Sequence, residues 1–153
     1  MKEPLVSIVT PVHNTARYLP ECIESVLNQR YVNWEYVVVD NASTDGSGDV
    51  ALEYARRDAR IRVARFDELV AQVPNYNRAI RQVAGSSRYV KVLEADNWLF
   101  PECLEKMVAL AESNPRVGIV SSYNATETRI RFTGLPLART VVDGRELARM
   151  HLT

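Results

Sequence analysis

The sequence predicts an α/β fold, a mostly parallel open sheet flanked by helices, and three observations carry that prediction. Short β-branched runs alternate with segments whose apolar residues recur at helical spacing. The strand-like runs are apolar throughout instead of alternating, as strands covered on both faces are. Turn-forming residues and prolines mark the change from one run to the next. Repeated β-α units of this kind build a sheet covered by helices.

The first predicted strand is Leu5 to Thr10, ending at Pro11, and the second is Trp34 to Asp40, where Val37, Val38 and Val39 lead into an acid. Between them Leu19, Ile23, Val26 and Leu27 share a helical face, with Pro20 suited to a first turn. A turn-rich stretch from Asn41 to Ser47 opens a helix through Val50, Tyr54 and Arg57, and Ile61 to Arg65 is a third strand. Tyr76, Ala79, Ile80, Val83 and Ala84 predict a helix closed by Gly85, followed by a fourth strand at Tyr89 to Leu93. Pro101 opens a helix through Leu104, Met107, Val108 and Ala111, and Val117 to Ser122 reads as a fifth strand. After Tyr123 the rhythm changes to a weak strand at Arg129 to Thr133, a Gly134-Leu135-Pro136 break and a short helix from Asp143 to His151.

Composition excludes several classes. A chain of 153 residues, 46% apolar and 25% charged, is long enough for one domain with a real core and shows no linker or repeat. Nineteen basic residues balance nineteen acidic ones, so charge gives no reason to expect a nucleic-acid partner. Five arginines crowd Arg56 to Arg65, a run short enough to be a solvated face. Cys22 and Cys103 have neither zinc-type spacing nor an activating His-Asp pair, and are expected to be reduced bystanders. No apolar run can span a bilayer and the N-terminus opens directly into a strand pattern, so no transmembrane segment is expected and the chain reads as cytoplasmic, free or peripheral at a membrane.

In open parallel sheets ligands bind beyond the carboxyl ends of the strands, so acids at those ends matter most. Asp40 ends the second strand, and Glu94-Ala95-Asp96-Asn97 follows the fourth. If strand geometry persists past Leu93, Glu94 and Asp96 leave from the same side. Such a pair suits Mg or Mn, hard cations that bind through one or two carboxylates plus substrate phosphates. Other phosphate and nucleophile signatures are absent: there is no Gly-x-Gly-x-x-Gly after the first strand, no Gly-Lys-Ser/Thr and no Gly-x-Ser-x-Gly.

These segments resemble the family 2 glycosyltransferases with the GT-A (nucleotide-diphospho-sugar transferase) fold. Val6 to Asn14, with Thr10-Pro11-Val12-His13-Asn14, is similar to the family's opening strand and Pro-x-Tyr-Asn turn. Cys22 to Gln29 is similar to its first helix, and Glu35 to Ser47 matches its Asp-Asn/Asp-x-Ser-x-Asp-Gly-Ser motif. Asn77-Arg78-Ala79-Ile80 resembles its Asn-x-Gly/Ala-Ile helix, and Leu93 to Pro101 its Asp-x-Asp segment. The likeness runs from Leu5 to about Ser122.

The resemblance implies inverting transfer of a sugar from a nucleotide-diphosphate sugar to an acceptor hydroxyl, assisted by Mg or Mn. It implies that Asp40 contacts the base, with Thr10, Pro11 and Asn14 lining the same pocket, that Asn77 and Glu94 belong to the nucleotide site, and that Asp96 holds the metal. The acceptor is open, a saccharide or a lipid-linked saccharide. His13, Glu94 and Tyr76 depart from the usual tyrosine, aspartate and arginine. Residues 1–153 then read as a single nucleotide-sugar-binding domain with the acceptor half missing or reduced, and the catalytic base is expected beyond Thr153. The alternative is a non-catalytic nucleotide-diphosphate-sugar binding module.

Overall fold

The computed structural model describes residues 3–122, 124–126, 129–131 and 142–144. The chain divides into two compact units, Met1–Glu105 and Lys106–Thr153. The first unit is the α/β core. Its elements are β1 (Val6–Val12), α1 (Leu19–Leu27), β2 (Trp34–Asn41), α2 (Ser47–Arg57), β3 (Ile61–Phe66), α3 (Gln72–Ile80) and β4 (Tyr89–Val92). All four strands are parallel, in the order β3-β2-β1-β4. The predicted parallel α/β sheet with flanking helices is the fold of the chain.

The central strands are buried because both faces are covered. Val9, Val37 and Val39 pack with Ala79 of α3 on one face. Ile8, Tyr36 and Val38 are buried with Leu19, Cys22, Ile23 and Val26 of α1, the apolar stripe that the sequence spacing indicates. Complete burial of one such aliphatic side chain contributes about 1.5–3 kcal/mol. Pro20 sits in the first turn of α1, where its missing N–H would have no helical partner.

Pro11 has a structural meaning. Along β1 the even residues donate toward β2, as Val6 N–H does to Asn33 O (3.1 Å), and the odd residues face β4. The β1–β4 ladder ends at Val9, which pairs with Val92 and accepts from Leu93 N–H at 3.0 Å. The next donor on that side would be residue 11, and proline has none. The two strands therefore part beyond Val9. They do so where the chain order reverses, with β2 and β3 on one side of β1 and β4 on the other, which is where parallel sheets open a crevice.

Two expectations about helix and strand limits are corrected. The third helix begins earlier, at Gln72, and ends at Ile80 instead of running to Ala84. Beyond it Gln82 N–H and Val83 N–H reach back three residues to Ala79 O and Ile80 O, a tighter winding than the α-helix. Val83 still packs against the Val9–Val37–Val39 cluster, so its apolar spacing reflects burial from a turn. The predicted fifth strand at Val117 to Ser122 is irregular and mostly exposed, with Ile119 83% accessible. A β-branched run becomes a strand only when a neighbour supplies the ladder.

The second unit contains the continuation of α4 (Cys103–Ser113) and an antiparallel pair, β5 (Asn124–Thr126) with β6 (Arg129–Arg131). β6 falls within the strand expected at Arg129 to Thr133. The helix expected from Asp143 to His151 lies almost entirely outside the described residues. No helix among the described residues is long and apolar enough to cross a membrane.

The arginine run is a paired, solvated face. Arg57 pairs with Glu53, Arg60 with Asp58 (2.6 Å) and Arg62 with Glu35 (3.1 Å). Arg60 also lies 3.7 Å from the centroid of the Trp34 ring. Cys22 and Cys103 form no disulfide.

Candidate functional site

The parallel sheet brings the end of β2, the turn after β1 and the segment after β4 to one edge. Asp40 stands at the end of β2 but is only 2% exposed. Its Oδ1 accepts Ser43 N–H at 3.1 Å, and its Oδ2 lies 3.3 Å from Arg65 Nε. Arg65 also bridges to Asp49 at 3.1 Å, in the first turn of α2. Arg65, 46% exposed, and Asp49, 78% exposed, are the side chains turned outward from this cluster.

Two loops frame the edge and are stitched together. Ser43 Oγ accepts Asn14 N–H (3.0 Å), Ser47 Oγ accepts Thr15 N–H (2.9 Å) and Asp45 Oδ2 accepts Ala16 N–H (2.9 Å). In return Asn14 Oδ1 accepts Thr44 N–H at 2.8 Å, and Asn14 adopts a left-handed φ of 53° that asparagine tolerates well. Hydrogen bonds from Ser47 Oγ and from Ala16 N–H hold the Asp45 carboxyl below the usual range. The Ser-Thr-Asp-Gly-Ser run thus supplies the acceptors that fix the turn after β1.

His13 is exposed, with Nδ1 2.9 Å from Asn41 O. A carbonyl only accepts, so Nδ1 carries a proton, and Nε2 lies 3.4 Å from Asn14 Nδ2. The Asn41 side chain bonds both ways with the Val70 backbone (2.8 and 3.0 Å) and accepts from Arg78 at 3.2 Å.

After β4 the chain turns instead of staying extended: Asn97 N–H closes onto Glu94 O at 3.0 Å. The condition of persisting strand geometry is therefore not met. Glu94 and Asp96 are nevertheless both exposed, with Ala95 buried between them. Glu94 is engaged at both oxygens, by Tyr76 Oη (2.7 Å) and Asn97 Nδ2 (3.2 Å). Burial and the Glu94 carboxylate raise the Tyr76 phenol, with a smaller push from Asp96. Asp96 accepts no hydrogen bond from the described residues.

The loop is anchored by Ser25 of α1 and by Gln29, two residues past the end of that helix. Ser25 Oγ accepts Leu99 N–H at 3.1 Å. Gln29, 6% exposed, donates to Phe100 O (2.8 Å) and accepts Leu104 N–H (3.1 Å). Below the loop, Cys22 Sγ approaches Glu94 O at 3.6 Å, and burial pushes the thiol up.

Among the other residues expected at the site, Pro11 is half-buried and Asn14 and Asn77 are exposed. The Thr10 side chain is not on the surface of the crevice. It is fully buried, with its hydroxyl 2.8 Å from Tyr36 Oη. Asn75, on the buried side of α3, was not anticipated, and its Oδ1 has no hydrogen-bond partner among the described residues.

No group of three or more His, Cys, Asp or Glu among the described residues could enclose a metal. A single exposed carboxylate without protein donors is nevertheless a fitting anchor for Mg or Mn when diphosphate oxygens and water complete the shell. Asp96 meets that description.

The model of the family described as "Glycosyl transferase family 2" matches residues 7–150, and the chain belongs to that family. It is 36% identical over 106 residues to TuaG of Bacillus subtilis, named provisionally as a teichuronic acid biosynthesis glycosyltransferase, covering 69% of this chain and 41% of that one. It is 31% identical to the glycosyltransferase GlyG of Streptococcus pneumoniae, covering 81% of this chain and 41% of GlyG. The chain thus spans about two fifths of the length of these relatives.

Solved GT-A glycosyltransferases share the fold. Staphylococcus aureus TarS 1-349 in complex with UDP superposes with a TM-score of 0.64 at 23% identity, covering 71% of this chain and 32% of that one. The mannosyltransferase PcManGT of Pyrobaculum calidifontis, in complex with GDP-Man and Mn2+, gives 0.66 at 24% identity, covering 77% and 35%.

Proposed function

We propose that this chain forms the donor-binding part of a glycosyltransferase that moves a sugar from a nucleotide-diphosphate sugar to an acceptor hydroxyl, with inversion, using Mg or Mn. The observation that carries the reading is the contrast at the crevice edge. Asp96 is exposed and has no donors among the described residues, in the loop that follows β4, whose ladder with β1 ends at Val9. The donors named with the solved structures, UDP and GDP-Man, support a nucleoside diphosphate as the ligand class.

In this reading the stitched loops at Asn14 and Ser43–Ser47 form a rigid wall for the nucleoside, with the Asp40–Arg65 pair beside it. Pro11 and Asn14 line the base pocket, while Thr10 acts by supporting the strand end through Tyr36. Asn77 lies with the nucleotide, and Glu94 accepts from donor hydroxyls. Asp96 holds the cation, which when bound neutralises charge growing on the departing nucleoside diphosphate. An inverting displacement needs a base on the sugar face opposite the diphosphate. That base is expected beyond Thr153, as is most of the acceptor surface, for a saccharide or a lipid-linked saccharide. The site is placed in the cytoplasm, free or peripheral at a membrane.

The test is calorimetry of this chain with UDP, GDP, CDP and dTDP, with Mn and with excess chelator. Metal-dependent binding of at least one is expected, with Asp96→Ala weakening it more than Glu94→Ala. Equal affinity with Mn and with chelator would refute the metal role. A second reading, a binding module without turnover, is favoured by Glu94, which stands where the family carries aspartate and is engaged at both oxygens by Tyr76 and Asn97. Release of nucleoside diphosphate from nucleotide sugar, Mn and a panel of acceptors distinguishes the two when this chain is compared with one extended beyond Thr153.

A further inference from the structure

We propose that Tyr76 is a positioning residue that withholds Glu94 from the divalent cation, leaving Asp96 to anchor it among the described residues. The inference rests on the donor-binding reading above. Its basis is an asymmetry between two carboxylates two residues apart. Glu94 Oε1 accepts the Tyr76 phenol at 2.7 Å, and Oε2 accepts Asn97 Nδ2 at 3.2 Å. The Asn97 N–H to Glu94 O bond at 3.0 Å fixes the backbone beneath them. Asp96 has no such donors among the described residues.

A carboxylate that ligates Mg or Mn must aim a lone pair at the cation, and although each hydrogen-bonded oxygen keeps a second lone pair, a phenol that is already in place and held sets the direction in which the carboxylate faces. Tyr76 meets this condition. It projects from α3, half-buried, on an element that packs against β1 and β2, so its hydroxyl is delivered by the fold and not by a mobile loop. Glu94 and Tyr76 are two of the positions where this chain departs from the family pattern, and the structure puts them in direct contact. Of the two adjacent acids, the pair leaves Asp96 to the metal and reserves Glu94 for hydrogen bonding.

The prediction runs opposite to ordinary damage, because removing a contact should strengthen metal binding. Tyr76→Phe keeps the ring and its packing but removes the donor, freeing Glu94 to become a second ligand. Free Mn2+ is read by electron paramagnetic resonance during titration of the chain with UDP or GDP present, whichever binds. Tyr76→Phe should tighten Mn2+ by about 10-fold, opposite in sign to the loss of similar size that follows when a partner of a residue already ligating the metal is removed. At saturating nucleotide the double variant should show no gain over Glu94→Gln alone, giving a large coupling in the cycle. Circular dichroism checks that each variant is folded.

Unchanged or weaker Mn2+ binding by Tyr76→Phe overturns the proposal, as does a gain that survives in the double variant. A 10-fold loss at saturating nucleotide in Glu94→Gln alone also overturns it, since Glu94 would then already be a ligand. If the parent chain binds Mn2+ with neither nucleotide, the donor-binding reading falls and this inference with it. If the parent binds but the cycle is flat, only this inference falls.

Discussion

Gly48 stands so close to Asp40 that a Cβ built on it would overlap Asp40 Oδ2 and lie 2.8 Å from Arg65 Nε. The first turn of α2 can therefore pass over the carboxylate only as bare backbone. Gly48→Ala should destabilise the chain by about 1–3 kcal/mol, the usual cost of overpacking. Urea unfolding measures this, and the same variant should bind nucleoside diphosphate more weakly. An alanine variant as stable as the parent would show that Asp40 and Arg65 have room to retreat.

Gln29 holds the segment beyond the acidic loop with both ends of its amide, at Phe100 O and Leu104 N. Gln29→Ala would leave these backbone groups without their partner, at about 1–3 kcal/mol for a buried unsatisfied group. Unfolding experiments should find that loss, together with weaker Mn-dependent nucleotide binding. Normal binding in the variant would mean that the loop is positioned without α1.

Acid should act through Glu35 at the opposite edge of the sheet. Burial raises its carboxyl, but the Ser7 hydroxyl, Ala84 N–H and Arg62 more than offset that and leave it below its ordinary value. A carboxyl lowered by folding contributes stability that is fully present above its unfolded value, about 4.3 for glutamate, and is lost as pH falls through the folded value. Glu35→Gln should therefore flatten the dependence of stability on pH below about 4.3, where the parent's stability falls. Parallel curves for the two proteins would exclude Glu35 as the group.

The two thiols should react unequally. Burial raises Cys22, whereas Cys103 is half-buried. Iodoacetamide near neutral pH should label Cys103 well before Cys22, because the thiolate is the reactive form and access is required. Mass spectrometry of the labelled peptides reads the order. Loss of nucleotide binding in a folded Cys22→Ser variant would contradict its role as a bystander.

Much of the fold could be read from the sequence because burial on both faces leaves a local trace. Val37-Val38-Val39 and the Leu19–Ile23–Val26 stripe specify their elements almost without context. Val117 to Ser122 has the same local composition without a pairing partner, and pairing is a property of the fold. At the candidate site, the positions of Asp40 and Asp96 at strand ends were legible, since parallel order sends both to one edge. What each carboxylate touches was not. The Arg65 pairing, the burial of the Thr10 hydroxyl beneath Tyr36 and the Tyr76–Glu94 bond join residues from separate elements. Spacing along the chain carries no record of them.

The strand order β3-β2-β1-β4 also fixes when the parts of this edge can exist. β1, β2 and β3 are consecutive neighbours, so everything around Asp40, Ser43 and Arg65 can assemble once the chain has been made as far as Phe66. β4 must dock on the far side of β1, bringing Glu94 and Asp96 with it, after more than twenty further residues and a complete helix. Closing that larger loop is the slower step. During synthesis the wall proposed for the nucleoside can thus form before the acids proposed to hold the cation, and a chain stalled between β3 and β4 carries half an edge with an unpaired β1 beside it.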